Sequence, residues 1–490
     1  MKKVWKYVII TLLMLLGLCC VGVLYLFFIP NSQLFNITYI NNSKKIVSAE
    51  FDKETVSQIN LNSRTYEVNI LPSSDSSIYA EAKSHSFGFV LTKNETFEMS
   101  ATLRDEVLTI NITEPYGFAI HNDSKINLYL PTSKAFNLNL SNSKAKTNIS
   151  SKDVKINNLT YSTQSGDFNF KQGEIKGEMN LNLDKSVFTM SSAVKTHSNN
   201  VILSLSKGRF YAEESILGNV NIIHNTRGII SINECGILEE DIASAGGQIY
   251  VNKMSHLNIS TSDTNLTIGE ITHGATITMT KSGNISINKL NENSSIYANS
   301  GNVTINNVED VLTLETNSGN INVFEAKKEI RLNLNKGNAN IHFSQSETAE
   351  GYDPSDPDNK NKRLIATISN GSLNATGVEN VGLQTEGEGI TITGSGSANV
   401  RMNNVLGNNS INSNNGNVNI VVNKDSQCQY VLLTQSTYGY VRVNLTQIPD
   451  YNGYKTKELT ETAVNCSSSS NNLSVTTVSG NLIVLDTNFG

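Results

Sequence analysis

Few residues of this chain have the types and spacing that chemistry needs. Glu239, Glu240 and Asp241 are three acids in a row, and carboxylates that flank a bond are what sugar hydrolysis requires. Consecutive side chains of a strand point to opposite faces, so this run does not gather in one groove and reads as solvated turn charge. Asp167 and Asp184 stand one after and two before the turn residues Gly166 and Ser186, and their offsets do not superpose. His256 and His273 each fall nine residues after a turn residue, Gly247 and Thr264. That register could stack them, but two imidazoles without a third ligand make a poor zinc site.

The acidic segment Asp353-Pro-Ser-Asp356-Pro-Asp358 offers calcium-type oxygens. It lacks the central Gly and the terminal bidentate Glu of the EF-hand loop and reads as an acidic insertion, so no metal or cofactor is expected. Cys19 and Cys20 lie in an apolar run and Cys235 is isolated, which leaves Cys428 and Cys466 as the pair that an oxidising exterior would allow to bond. Their separation of 38 residues, 466−428, permits that disulfide and does not require it. Gly-x-Ser-x-Gly, His-Glu-x-x-His and phosphate-cradling glycine loops do not occur. The sole tryptophan, Trp5, lies outside the polar part of the chain, so sugar stacking would fall to tyrosines.

The elements that must carry these residues are announced by a glycine. Gly283, Gly301, Gly319 and Gly337 recur at equal intervals, 301−283, 319−301 and 337−319, and each is followed by an asparagine: Asn284, Asn302, Asn320 and Asn338. A fixed short period means units that bury their apolar side chains only by stacking on neighbours. Two and four residues after each glycine come Ile285, Val303, Ile321 and Ala339, then Ile287, Ile305, Val323 and Ile341. A third apolar column, thirteen residues on, holds Ile296, Leu314 and Leu332. The glycine is expected at a corner with positive φ, and the asparagines as an amide ladder. An eighteen-residue turn at ~3.3 Å per residue gives a perimeter of ~60 Å, with rungs ~4.8 Å apart.

Earlier register residues are Gly166, Ser186, Gly208, Gly228, Gly247 and Thr264. No proline lies between Pro131 and Pro354, as ladders of donating N–H groups demand. From Phe35 to Pro131 alternation such as Tyr66-Glu67-Val68-Asn69-Ile70-Leu71 predicts further strands. The fold expected is all-β: a single-stranded, right-handed β-solenoid of 18–20-residue rungs, preceded by one transmembrane helix. Its segments are 1–35 (cytoplasmic stub and helix), 36–131 (β region that begins the solenoid), 132–425 (repeats, with the acidic loop inserted at 345–362) and 426–490 (last rungs and cap). Ser479-Gly480-Asn481 reads as the terminal rung, and Tyr430, Tyr438, Tyr440, Tyr451 and Tyr454 as the cap.

Lys2, Lys3 and Lys6 precede an uncharged run from Tyr7 to Ile29, and large side chains end that run where a signal peptidase would need small ones. An uncleaved anchor is expected through residues 7–29, with the N-terminus cytoplasmic and the rest of the chain outside the cell. The net charge of −6 becomes −9 once those three lysines are set aside, which disfavours nucleic acid as a partner.

Repeated Ser-Gly-Asn-hydrophobic-x-hydrophobic units behind a membrane anchor resemble the bacterial "putative-adhesin" β-solenoid family, a domain of unknown function, over about Ile46 to Asp486. The resemblance implies a cell-envelope β-solenoid with no established catalytic residue. The expected role is a non-enzymatic, cell-surface binding or envelope structural module whose partner is a protein or polysaccharide of the envelope. An envelope-stress or signalling accessory is the alternative, and a carbohydrate-active enzyme a third that demands two carboxylates within ~10 Å on one groove.

Overall fold

The computed structural model describes residues 2–28 and 38–487, apart from 76, 91–97, 115–116, 198, 242–245, 345–363, 379–387, 395–396, 403–404, 406–407, 425–428, 447–453, 456–459 and 465–470. Lys2–Phe28 is one helix. Nearly everything else described is strand. The exposed side chains described on the helix include 9–22, a stretch of ~21 Å at 1.5 Å per residue against ~30 Å of hydrocarbon. Among the described residues no helix is long and apolar enough to cross a membrane.

The chain divides into two compact units, Met1–Met179 with 185–189 and 193–195, and a second made of 180–184, 190–192 and 196–490. In the second unit the eighteen-residue period is a parallel ladder. Ile285 pairs with Val303, Val303 with Ile321 and Ile321 with Ala339, while Ile287, Ile305, Val323 and Ile341 pair in the same order. The third column aligns Ile296, Leu314 and Leu332. All eleven side chains are buried, Leu332 being the most exposed at 4%. Removing a Val, Leu or Ile side chain of this size from water stabilises by about 1.5–3 kcal/mol, so each rung contributes several kcal/mol against the entropy of ordering it. The ladder continues across the break at 345–363, with Ala339 on Leu373, Leu373 on Ala398 and Ala398 on Val418.

The glycine column is required by crowding as much as by conformation. A Cβ on Gly301 would lie 2.0 Å from the Gly283 carbonyl oxygen, and on Gly319 and Gly337 it would lie 1.8 Å from the oxygen of the glycine below. Gly301, Gly319 and Gly337 have φ of 125°, 147° and 121°. Gly283 departs from the expected positive φ, and there the constraint is the Thr264 carbonyl oxygen, 2.5 Å from a would-be Cβ. A second kind of corner, not foreseen from the sequence, uses a buried polar side chain three residues before the glycine. Thr163, Asn225, Ser413, Ser436 and Thr477 accept from the N–H of Gly166, Gly228, Gly416, Gly439 and Gly480 at 2.9–3.0 Å. In the three positive-φ corners that place is taken by Ala298, Thr316 and Leu334, and the buried Thr316 hydroxyl has no partner.

Each unit places a strand out of chain order inside its own stack. Leu482–Thr487 pairs in parallel with Val418–Asn423 on one side and Val441–Asn444 on the other. Asn472–Thr477 lies likewise between Asn408–Ser413 and Tyr430–Ser436. The segment around Gly480 is therefore not the terminal rung; the chain passes it, lays down 430–444 further out and returns. In the first unit Gln58–Ser63 lies between Val107–Thr113 and Phe136–Asn142. Antiparallel strands close the outer edges: Glu98–Arg104 on Val107–Thr113, and Thr460–Val464 on Tyr430–Ser436. These strands cover the rows of Val107–Thr113 and Tyr430–Ser436 that would otherwise stay open.

Candidate ligand-binding face

Between the two inward residues of each rung's first strand one side chain points outward, and a second lies two residues on. In ladder order the first outward column reads Ser231, Tyr250, Thr267, Ser286, Thr304 and Asn322. By the same register the second reads Asn233, Asn252, Gly269, Asn288, Asn306 and Phe324. None of these twelve residues is charged. Amide hydrogen bonds tie neighbouring rungs: Asn252 Nδ2 donates to Asn233 Oδ1 at 3.2 Å, and Asn306 Nδ2 to Asn288 Oδ1 at 2.9 Å.

Gly269 interrupts the amide column between Asn252 and Asn288. A Cβ there would meet the Asn252 carbonyl oxygen at 2.1 Å, so no larger residue fits. The gap opens a shallow groove of ≈ 430 Å³ lined by Tyr250, Asn252, Thr267, Gly269 and Asn288. Glu213 stands at its end and accepts from the Ser231 hydroxyl at 2.8 Å. The Tyr250 ring is 41% exposed, and its Oη donates to Gln248 Oε1 at 3.0 Å. Phe324, 59% exposed, stands four rungs further along the face, ~19 Å at ~4.8 Å per rung.

The column beside these alternates in sign. Glu270 lies 3.9 Å from Lys253 and 3.6 Å from Lys289 on the rungs to either side. A hydrogen bond from Asn291, then the two lysine charges, hold its carboxyl below the usual range. The asparagines that follow the glycines form a ladder too: Asn284, Asn302 and Asn320 Oδ1 accept from the backbone N–H of Asn302, Asn320 and Asn338 at 3.1–3.3 Å, and Asn302 and Asn320 Oδ1 also accept from the side-chain amides of Asn320 and Asn338 at 3.3 Å.

Glu240 is not a solvated turn charge. It is 1% exposed, its Oε1 accepts from Asn225 Nδ2 at 3.1 Å and its Oε2 from Thr264 Oγ1 at 3.3 Å. Burial pushes its carboxyl up, against the pull of those hydrogen bonds. It extends the buried polar corner column that starts at Asn225. His256 and His273 do stack, with ring centroids 5.0 Å apart and planes at 17°. Ser255 Oγ lies 2.9 Å from the Nδ1 of each. Among the described residues no group of three His, Cys, Asp or Glu side chains could hold a metal. Cys235 is buried, and burial followed by the Glu234 charge pushes its thiol up to about 12, which makes it inert. Asp353, Asp356 and Asp358, and both Cys428 and Cys466, lie outside the described residues.

Residues 174–355 match the family model of the Toastrack domain, DUF4097. The Toastrack match takes in the neutral columns, the groove and all four glycine–asparagine corners. No curated protein matches the chain. Among solved structures, a "putative cell adhesion protein" from Clostridium sporogenes shares 9% identity over 91% of this chain and 100% of its own, with a TM-score of 0.15. A "putative adhesin" from Bacteroides fragilis gives 9% over 91% and 100%, TM-score 0.16. One from Parabacteroides distasonis gives 12% over 77% and 98%, TM-score 0.18. Scores this low do not amount to a shared arrangement of the whole chains.

Proposed function

We propose that this protein is a membrane-anchored, extracytoplasmic binding module without catalytic activity, built as a single-stranded, right-handed β-solenoid. The observation that carries the reading is the pair of uncharged outward columns, one residue per rung, on a face that its own hydrogen bonds hold rigid. Such a face gives many weak, equally spaced contacts and no enclosed site in which a reacting group could be desolvated. The anchor is the helix Lys2–Phe28. In sequence the uncharged run from Tyr7 to Ile29 spans ~35 Å at 1.5 Å per residue, more than the ~30 Å hydrocarbon core. The lysines before that run favour a cytoplasmic N-terminus, so the binding face meets the envelope or what lies beyond it.

Two measurements test this. Protease added to intact expressing cells should cut the β region, whereas sealed inverted membrane vesicles should protect it. Full-length protein in detergent micelles should be retained on whole cells or purified wall. Retention on no surface, with the protease result intact, would favour the signalling accessory instead.

A further inference from the structure

The neutral face has a translational repeat, and that repeat restricts what can bind it. From the rung of Ser231 to that of Asn322 it presents one hydroxyl, amide or aromatic group per column every ~4.8 Å, over ~24 Å, except at Gly269. A ligand that satisfies every rung must itself repeat along its length. Nucleic acid and anionic polymers find no cation in either column, and the adjacent lysines are engaged with Glu270. A folded protein partner would need a contiguous apolar centre, and the two exposed aromatic side chains of this face are four rungs apart. A peptide strand needs a free sheet edge for its backbone, and these columns lie on the face of the sheet.

On the premise that the protein is a surface binding module, we infer that the groove at Gly269 and the columns around it bind a neutral linear polysaccharide that lies along the stack, about one sugar ring per rung. Its hydroxyls bridge the amides of Asn252, Asn288 and Asn306 and the hydroxyls of Thr267 and Ser286. Tyr250 and Phe324 take the apolar faces of sugar rings at the two ends of a five- to six-ring stretch. Gly269 leaves the hollow into which one ring settles.

The test uses the full-length chain in detergent micelles and titration calorimetry with cellohexaose, chitohexaose, maltohexaose and, as the anionic counterpart, hexagalacturonate. A neutral hexamer is expected to bind at least tenfold more tightly than its trimer, and hexagalacturonate more weakly than any neutral hexamer bound. Tyr250→Ala and Phe324→Ala should each weaken binding about three- to tenfold, the worth of one aromatic stacking contact. Both side chains are exposed, so these variants keep the fold. Tyr438→Ala, a substitution of an exposed tyrosine near the other end of the unit, should change nothing. Binding that is indifferent to Tyr250 and Phe324, equal for trimer and hexamer, or tightest for hexagalacturonate overturns the inference. If no hexamer binds while whole cells or wall still retain the protein, the ligand class is wrong and the binding module stands. If nothing retains it, the premise falls as well.

Discussion

Glu240 links an interior position to a solution variable. Its hydrogen-bond partners, Asn225 and Thr264, are neutral, and it is 1% exposed, so its charged form has no cation to offset desolvation. The folded pKa is raised above the ordinary 4.5. Below 4.5 the carboxyl is protonated in both states and affects the balance little. Between 4.5 and the folded value the native state holds a proton that the unfolded chain has released. Stability therefore falls by about 1.4 kcal/mol per pH unit through that window and is level above it. Glu240→Gln keeps the shape, an oxygen for Asn225 Nδ2 and a donor toward Thr264, and it removes the titration. Urea unfolding of both proteins at half-unit steps from pH 4 to 8 should give curves that agree near pH 4 and then separate, with the variant the more stable at pH 7. Parallel curves, or a variant less stable at neutral pH, would refute the account of a neutral buried acid.

The remaining expectations concern the stack itself. Gly319→Ala puts a Cβ 1.8 Å from a carbonyl oxygen at a φ of 147° and should cost at least ~3 kcal/mol in thermal or urea unfolding. Gly236→Ala, whose nearest neighbour is a side-chain oxygen at 3.3 Å, should be close to neutral. Ile305→Ala, at a fully buried position between Ile287 and Val323, should destabilise by about 2–5 kcal/mol. Removing residues 472–490 should open 430–444 as well, because those strands pair with the deleted segment; limited proteolysis would then cut 430–444 before any cut in 285–341.

The rung was legible in the sequence because it is written in columns: Ile285, Val303, Ile321 and Ala339 share one environment, and their spacing alone brings them together. The corner was half legible. The glycines marked its place but not its conformation: Thr316 stands three before the positive-φ Gly319, whereas the same residue type, Thr163 and Thr477, caps Gly166 and Gly480, where φ does not turn positive. The position of Glu240 was hidden because its rung departs from the eighteen-residue count, and strand alternation offers no way to tell an inward acid from an outward one. The order of the last rungs was illegible for a deeper reason. Val418 presents the same kind of apolar column to Leu482 as it would to Val441, so a repeat encodes how a rung stacks and not which rung it meets. The groove depended on this register too, since Gly269 becomes a gap only when Asn252 and Asn288 are known to flank it.

The interleaved strands set a schedule for biosynthesis. A ribosome delivers residues 430–444 before 472–487, yet the earlier stretch has its proper seat only against the later one. Until residues 472–487 are translated, the surface around Val418 stays vacant and 430–444 must wait or dock out of sequence. The first unit imposes a similar delay, since 58–63 pairs with 107–113 and 136–142. Maturation thus resembles fitting a keystone, not winding thread onto a spool, and a nascent chain halted before residue 472 leaves 430–444 without the strands it pairs with.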